Sequence, residues 1–363
     1  MADKDTVRRL REGVLVRPGM LEPATPGFRV VGCFNPAAFR FGGEAWLIVR
    51  VAEAARSSRK GFFPSPRVDF SRRKPRVVVD QVRHRPKPGE DTRGLLLPDG
   101  TMRLRFISHL RLVRVSRDGL RTEMIDQRPW LFPEHPWEEF GVEDPRATIV
   151  GRQLLVTYVA VGRELGIAPA LLRVKSLEAP PERLGTMLPS ENKDVMLFPR
   201  KLRRKYVTVH RPMGRDAFTA PNIQVAESPD LAHWGRHRFV MGPSCGAWDA
   251  YRIGGGPPPL RTPKGWLLIY HGVERRAGDP IGVYSVGAAL LDAKDPAKVL
   301  ARTPKPILRP ERPWEREGFT PNVVFPTGAV LRGDELTLFC GAADEYVTSI
   351  TVSLREVLGR LRR

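Results

Sequence analysis

The chain has 363 residues, more than one ordinary domain needs, and 41% of them are hydrophobic, which excludes a disordered protein and leaves two domains or one large β unit. Lysine and arginine number 60 against 40 aspartates and glutamates, for a net charge of +20. That balance suits an anionic partner, but the basic residues are scattered, with no basic helix and no aromatic residues interleaved along a strand pair, so no nucleic-acid partner is expected.

The N-terminal arm, residues 1–30, begins MADKDTVRRLREGVLVRPG; it has no apolar leader core, and TVRRLREGVL carries a weak helical pattern. No run anywhere reaches bilayer-spanning length, so no membrane partner and a cytoplasmic location are the expectations. Cys33, Cys245 and Cys340 are odd in number and lack CxxC spacing, which argues against a disulfide framework or a structural zinc site.

Further along, five segments share one plan: NPAAFRFGGEAWLIVRV, EDPRATIVGRQLLVTYVAV, LFPRKLRRKYVTVHRP, PPPLRTPKGWLLIYHGV and VFPTGAVLRGDELTLFCGAAD. Each has a proline-containing entry, a short strand, a turn rich in glycine or basic residues, and a hydrophobic strand, which is a β-hairpin used five times. Behind most copies comes a second strand pair: SHLRLVRVSRDGLRTE, NIQVAESPDLAHWGRHRFV and YSVGAALLDAKDPAKVL. Four strands per unit, repeated about five times, predict an all-β protein and a five-bladed β-propeller, in which each blade covers the next one's edge. A pair of β-sandwiches is the alternative; regular hairpin spacing with no linker between halves favours the propeller. Residues 56–98, rich in arginine, lysine and proline, read as a basic insertion in the first blade with few core residues. SLREVLGRLRR predicts a short C-terminal helix over residues 353–363, and the whole of 1–363 reads as one catalytic domain.

In a propeller the entries of the inner strands converge on the axis, so they are considered together. They are polar: Asn35; Glu143, Asp144 and Arg146; Asn192, Lys193 and Asp194; Arg252; Asn322. The ends of the hydrophobic strands add Arg50, His210 with Arg211, His271, and Asp344. One dominant carboxylic acid, Asp144, among several cations is odd for ordinary glycoside hydrolysis, which needs a second carboxylate. It suits a nucleophile that arrives already charged, because phosphate needs no general base but does need cations to hold it.

GVEDPR, HRP, the GGGPPPLRTPKGWLLIYHGV block, PNVVFPTGAV and GAAD together resemble glycoside hydrolase family 130, the β-mannoside phosphorylases and related β-mannosidases, which are five-bladed propellers. The resemblance runs from about Asn35 to GAAD. It implies that Asp144 is the sole general acid, passing its proton through the mannosyl 3-hydroxyl to the glycosidic oxygen. It implies phosphate-holding roles for Arg211, Arg252 and His271, with Lys193 and Tyr284 as companions, and places Asn35, Arg50 and Asp344 near the mannosyl ring, with Glu143 and Arg146 as further substrate contacts. Lys193 stands where some members carry arginine, and Arg252 where lysine is frequent; cationic character is kept at both.

The expected function is inverting phosphorolysis of a β-mannoside such as a manno-oligosaccharide, giving α-mannose 1-phosphate, with phosphate as co-substrate and no cofactor. A β-mannosidase using water and a non-catalytic carbohydrate- or polyanion-binding propeller are the alternatives. For Asp144, burial and Glu143 push the pKa up and Arg146 pulls it down, and the balance is left to the structure.

The remaining signals have structural readings. Gly254 to Gly256 lack GxGxxG spacing and read as close backbone packing near the axis. His109, His210 and His271 show no HxH or HExxH spacing, so a metal-free site is expected. Trp130, Trp137, Trp248 and Trp314 sit in loop-like segments and are candidate sugar-stacking faces for the acceptor. A homo-oligomer is left open, with the basic arm and the insertion as candidate contacts.

Overall fold

The five hydrophobic runs become the second strands of five antiparallel units, and their near-continuous apolar character is explained by burial on both faces. Gln153–Gly162, Gly265–Glu274 and Glu335–Ala342 are almost wholly buried along their length. The computed structural model describes residues 6–56, 59–85, 91, 93–214, 218–275, 279 and 281–362. Residues 1–5 of the arm, 57–58, 86–90 and 92 of the insertion, and residue 363 at the end of the expected helix lie outside the described residues.

The first unit is Phe28–Phe41, Glu44–Ala55, Ile107–Val115 and Thr122–Ile125; the second is Gly141–Val150, Gln153–Gly162, Gly166–Val174 and Glu182–Thr186. A single parallel pairing of Gly141 with Ser108 joins these two into one eight-stranded sheet. The third unit is Asn192–Leu197, Tyr206–Pro212, Ile223–Ser228 and Gly235–Met241. The fourth is Arg252–Gly255, Gly265–Glu274, Val283–Leu291 and Val299–Arg302, with Leu260–Thr262 pairing beside Arg252–Gly255. The fifth is Val324–Arg332, Glu335–Ala342 and Tyr346–Ser353, completed by Arg11–Val16 from the other end of the chain.

The core lies between units rather than within them. Separate apolar clusters fill the space between the first and second units around Leu112 and Val156, the second and third around Leu171 and Leu197, and the third and fourth around Val209 and Leu268. Two more lie between the fourth and fifth around Leu267 and Leu338, and between the fifth and first around Phe339 and Val49. Each such aliphatic or aromatic side chain contributes about 1.5–3 kcal/mol on burial.

Two local expectations change. The N-terminal segment TVRRLREGVL is not helical; Arg11–Val16 is a strand, because the open edge of Tyr346–Ser353 offers it a full ladder of hydrogen bonds. The C-terminal helix is shorter than expected, Leu354–Arg360, started by Ser353, whose hydroxyl accepts from the Glu356 amide, and ended by pairing of Arg362 with Arg302. The insertion contributes few core residues, Phe63, Val68 and Leu95 among those described, but is ordered as a hairpin: Phe62–Asp69 pairs with Arg76–Arg83, and Val68 packs with Val77, Val79, Phe28 and Ile107. A second hairpin, Gly94–Leu96 with Met102–Leu104, follows it.

Candidate active site

In each of the first three units the innermost strand carries a bulge, with the pairing register slipping between Phe34 and Ala37, Glu143 and Arg146, and Lys193 and Met196. Asn35, Asp144 and Asp194 occupy these bulges with φ of 50°, 46° and 53°. Asparagine and aspartate enter this left-handed region more readily than other residues with a Cβ, and a bulge re-aims the side chain it carries. Pro36 and Pro145 then return the chain to extended backbone. Equivalent positions in three units thereby send polar groups into one cavity of about 710 Å³. This volume falls in the ordinary range for small-molecule sites.

Glu143 and Asp144 line the cavity as an acid pair. Arg50 donates from Nη1 to Asp144 Oδ1 at 2.9 Å and from Nη2 to Glu143 Oε1 at 2.6 Å, while its Nε donates to Ser108 Oγ at 3.0 Å. Asn35 Nδ2 donates to the same Asp144 Oδ1 at 2.8 Å. Lys193 Nζ lies 3.4 Å from Glu143 Oε2 and 3.7 Å from Asp144 Oδ2. Burial opposes ionisation of Asp144, but Arg50, Lys193, Arg146 and the Asn35 amide outweigh it and hold the carboxyl well below the usual range. With Oδ1 occupied by two N–H donors, Oδ2 is the oxygen left to carry or release a proton.

The same cavity is lined by Arg211, Arg252, His271 and Tyr284, near a carboxylate, Asp194, to which sequence reasoning gave no role. Asp194 Oδ2 accepts from Arg211 Nε at 2.6 Å and lies 3.8 Å from His271 Nε2, and its Oδ1 lies 3.4 Å from an Arg146 nitrogen. Burial pushes the Asp194 carboxyl up, but Arg211, His271 and Arg146 pull it down further, to about 2. Arg252 donates to the Tyr284 hydroxyl, and the His271 and Tyr284 rings stack with centroids 5.9 Å apart. Burial, then Arg211, lowers Arg252 to about 10; burial lowers His271 to about 3, so its imidazole is neutral near pH 7. Asn192 bonds the His210 ring at 3.0 Å and accepts from the Arg211 amide at 3.1 Å, which fixes the backbone that carries Arg211.

Among the described residues, three buried polar atoms of cavity-lining residues have no partner: Asn35 Oδ1, Arg252 Nε and His271 Nδ1. Buried polar groups are ordinarily satisfied, so these three stand out among the residues that line the cavity. Gly254 follows the expectation of close packing. A Cβ there would overlap Asp194 Oδ2 and His271 Cε1, and Gly256 O accepts from Arg146 Nε at 3.0 Å.

Of the residues expected from sequence, Asn35, Arg50, Glu143, Asp144, Lys193, Arg211, Arg252, His271, Tyr284 and Asp344 line the cavity. Arg146 does not: it is fully buried behind the wall, donating to Asp144 O at 2.7 Å and to Gly256 O, so it holds the framework rather than facing substrate. The four tryptophans are not at the cavity either. Trp248 is in the core, Trp130 and Trp137 pack on the cluster between the first two units, and Trp314 belongs to the short helix Pro313–Arg316. The aromatic wall is made by Phe34, Phe106, Phe140, Phe319 and Phe325, which carried no signal because phenylalanine is the ordinary core residue. Arg93, from the insertion, also lines the cavity and was not singled out. Among the described residues, no three of His, Cys, Asp and Glu are grouped to hold a metal ion, and no helix is long and apolar enough to cross a membrane.

Comparison with known proteins places this geometry. A family model described as beta-1,4-mannooligosaccharide phosphorylase matches residues 107–363. The chain is 35% identical over 358 residues to a beta-1,2-mannobiose phosphorylase of Listeria innocua, covering 98% of each chain. It is 36% identical over 255 residues to a 1,2-beta-oligomannan phosphorylase of Thermoanaerobacter sp., covering 70% of this chain and 81% of that one. A solved complex of the Listeria innocua enzyme with beta-1,2-mannobiose superposes with a TM-score of 0.84 at 33% identity, covering 95% of this chain and 96% of the other. A mannose phosphorylase of Leishmania mexicana in complex with phosphate ion shares the fold, at a TM-score of 0.58 and 15% identity over 98% of this chain and 92% of the other. The chain belongs to glycoside hydrolase family 130.

Proposed function

We propose that the protein is an inverting β-mannoside phosphorylase that uses inorganic phosphate to cleave a manno-oligosaccharide and releases α-mannose 1-phosphate. The observation that carries the reading is one cavity lined both by the acid pair Glu143 and Asp144 and by Lys193, Arg211, Arg252, His271 and Tyr284, the kind of groups that hold phosphate. Near-full-length similarity to a β-1,2-mannobiose phosphorylase supports the β-1,2 linkage among the family's substrates.

Arg211, Arg252 and His271, with the Tyr284 hydroxyl and Lys193, hold phosphate beneath the sugar; Asn35, Arg50, Glu143 and Asp344 hold the mannosyl ring. A phosphate oxygen forms its bond to the anomeric carbon as the glycosidic C–O bond breaks, and the departing oxygen takes a proton from Asp144 through the mannosyl 3-hydroxyl. In the free site Asp144 is ionised. Phosphate partly neutralises Lys193, one of the cations that hold its pKa down, so the proton that phosphate must shed can reside on Asp144 Oδ2 and pass to the leaving group. In the synthetic direction the same carboxylate accepts it back.

Hydrolysis is the second reading, because Asp194 supplies a second carboxylate of the kind an inverting glycosidase uses to activate water. Both its oxygens face guanidinium groups and its pKa is lowered to about 2, which makes it a counter-ion and a poor base. The deciding experiment incubates the protein with β-1,2-mannobiose with and without phosphate. The phosphorylase reading requires α-mannose 1-phosphate in the first tube and little mannose in the second; equal mannose in both ends it.

The architecture we propose is a five-bladed propeller forming one catalytic domain. Support comes from the cyclic succession of core clusters, fifth unit against first included, and from Phe28–Phe41 packing against both Gly141–Val150 and Val324–Arg332. A cytoplasmic location fits a substrate set of phosphate and sugar phosphate.

A further inference from the structure

The family model begins at residue 107, yet part of the cavity wall comes from before it: Asp91, Arg93 and the hairpin Gly94–Leu96 with Met102–Leu104. Arg93 divides its guanidinium between two carboxylates. Nε and Nη2 fork onto Asp91, with Nε 2.9 Å from Oδ1 and Nη2 2.8 Å from Oδ2, and the Arg93 amide donates to Asp91 Oδ1 at 3.0 Å. Nη1 reaches across to the fifth unit, 3.3 Å from Asp344 Oδ2 and 3.0 Å from Thr320 Oγ1. Asp344 itself sits on a left-handed turn, with φ of 49° at Ala343 and 50° at Asp344, so its backbone sets it at the cavity and Arg93 sets its carboxylate.

We propose that Arg93 is a positioning residue for the sugar: anchored by Asp91, it orients Asp344 and keeps it charged to accept hydrogen bonds from mannosyl hydroxyls. The proposal rests on the mannoside reading above. An ionised carboxylate accepts hydrogen bonds from two vicinal hydroxyls best when it is correctly turned, and the fork onto Asp91 fixes the plane of the guanidinium whose Nη1 meets Asp344, which a lysine ammonium could not reproduce. The groups facing Asp344 make the point sharper. Burial raises its pKa, and the nearby Asp144 charge pushes the same way; Arg93, the Thr320 hydroxyl and Arg50 oppose them. Loss of Arg93 therefore raises Asp344 further, and the sugar-binding form disappears at a higher pH.

The test measures kcat and KM for β-1,2-mannobiose and for phosphate across pH in the wild type, Arg93→Gln, Arg93→Lys and Asp91→Asn. For Arg93→Gln we expect the sugar KM to rise tenfold or more, the acid limb of kcat/KM to move to higher pH, and the phosphate KM to stay within twofold. Arg93→Lys is expected to restore the acid limb in part, and Asp91→Asn to raise the sugar KM severalfold while leaving that limb near the wild type. A sugar KM and acid limb unchanged in Arg93→Gln overturn the proposal, as does an equal rise in both KM values. Should Arg93→Gln fail to fold, as judged by its melting curve, Asp91→Asn decides: an unchanged sugar KM there overturns it. A wild type that cleaves no β-mannoside instead removes the mannoside reading and this inference with it.

Discussion

Gly254 and Asp194 meet where the fourth unit faces the third, so closely that a Cβ on Gly254 would overlap Asp194 Oδ2 and lie 2.8 Å from Arg211 Nε. The absence of a side chain is what lets the counter-ion and its arginine stand at the cavity wall. Gly254→Ala is expected to cost about 1–3 kcal/mol, as overpacking typically does. Catalysis should suffer more, with kcat/KM for phosphate falling at least tenfold. Unchanged phosphate kinetics in a folded variant would remove this contact from the site's design.

Asp144→Asn should preserve sugar binding, measured by calorimetry with β-1,2-mannobiose, while turnover falls a hundredfold or more, about the contribution of a general acid. The amide keeps the shape that Asn35 and Arg50 surround but carries no transferable proton. Turnover within a few fold of the wild type would show that the leaving group takes its proton elsewhere.

Arg252 and Arg211 should separate on two readouts. Arg252 donates to Tyr284 and has an unpartnered Nε, so Arg252→Ala should raise the phosphate KM about tenfold to a hundredfold, in line with roughly 1.5–3 kcal/mol for a charged hydrogen bond. Arg211→Ala should do the same and also destabilise the fold by about 3–5 kcal/mol, because buried Asp194 loses its closest partner. Kinetics and chemical denaturation together check the split, and equal stability of the two variants would contradict it.

Three buried histidines, His109, His210 and His271, all lowered by burial, predict a pH dependence of stability. Burial, with His237 adding to it, lowers His210 to about 4, and burial lowers His271 to about 3, against an ordinary 6.5. The unfolded chain therefore binds more protons between those values, and stability rises with pH through that window. Denaturation midpoints should fall as pH drops from about 6.5 towards 4, at up to about 1.4 kcal/mol per histidine per pH unit. His210→Gln should flatten part of the slope; an unaltered slope would remove His210 from the groups that produce it.

Much of the strand architecture was legible in the chain, because a strand covered on both faces must be apolar throughout, as LLVTYVAV and GWLLIYHGV are. The polar entries were legible as well: asparagine or aspartate followed by proline at Asn35 and Asp144 is the local chemistry of a bulge in left-handed backbone. Arg11–Val16 was not, since a strand that completes a distant sheet depends on a partner edge more than 300 residues away. Nor was the difference between Arg146 and Arg211, two guanidiniums of equal chemistry whose roles separate only by which side of Asp194 they occupy.

The sequence by itself determined the all-β class, the repeated hairpin, and a set of one dominant acid with several cations, because periodicity and residue chemistry are properties of the chain alone. Tertiary structure decided which of those charges meet: that Asp194 is a counter-ion, that Arg146 stands behind the wall, that phenylalanines rather than tryptophans line the cavity, and that the insertion brings Arg93 to Asp344. Contacts between residues far apart in the chain are set by how the sheets pack, and no local pattern encodes that packing.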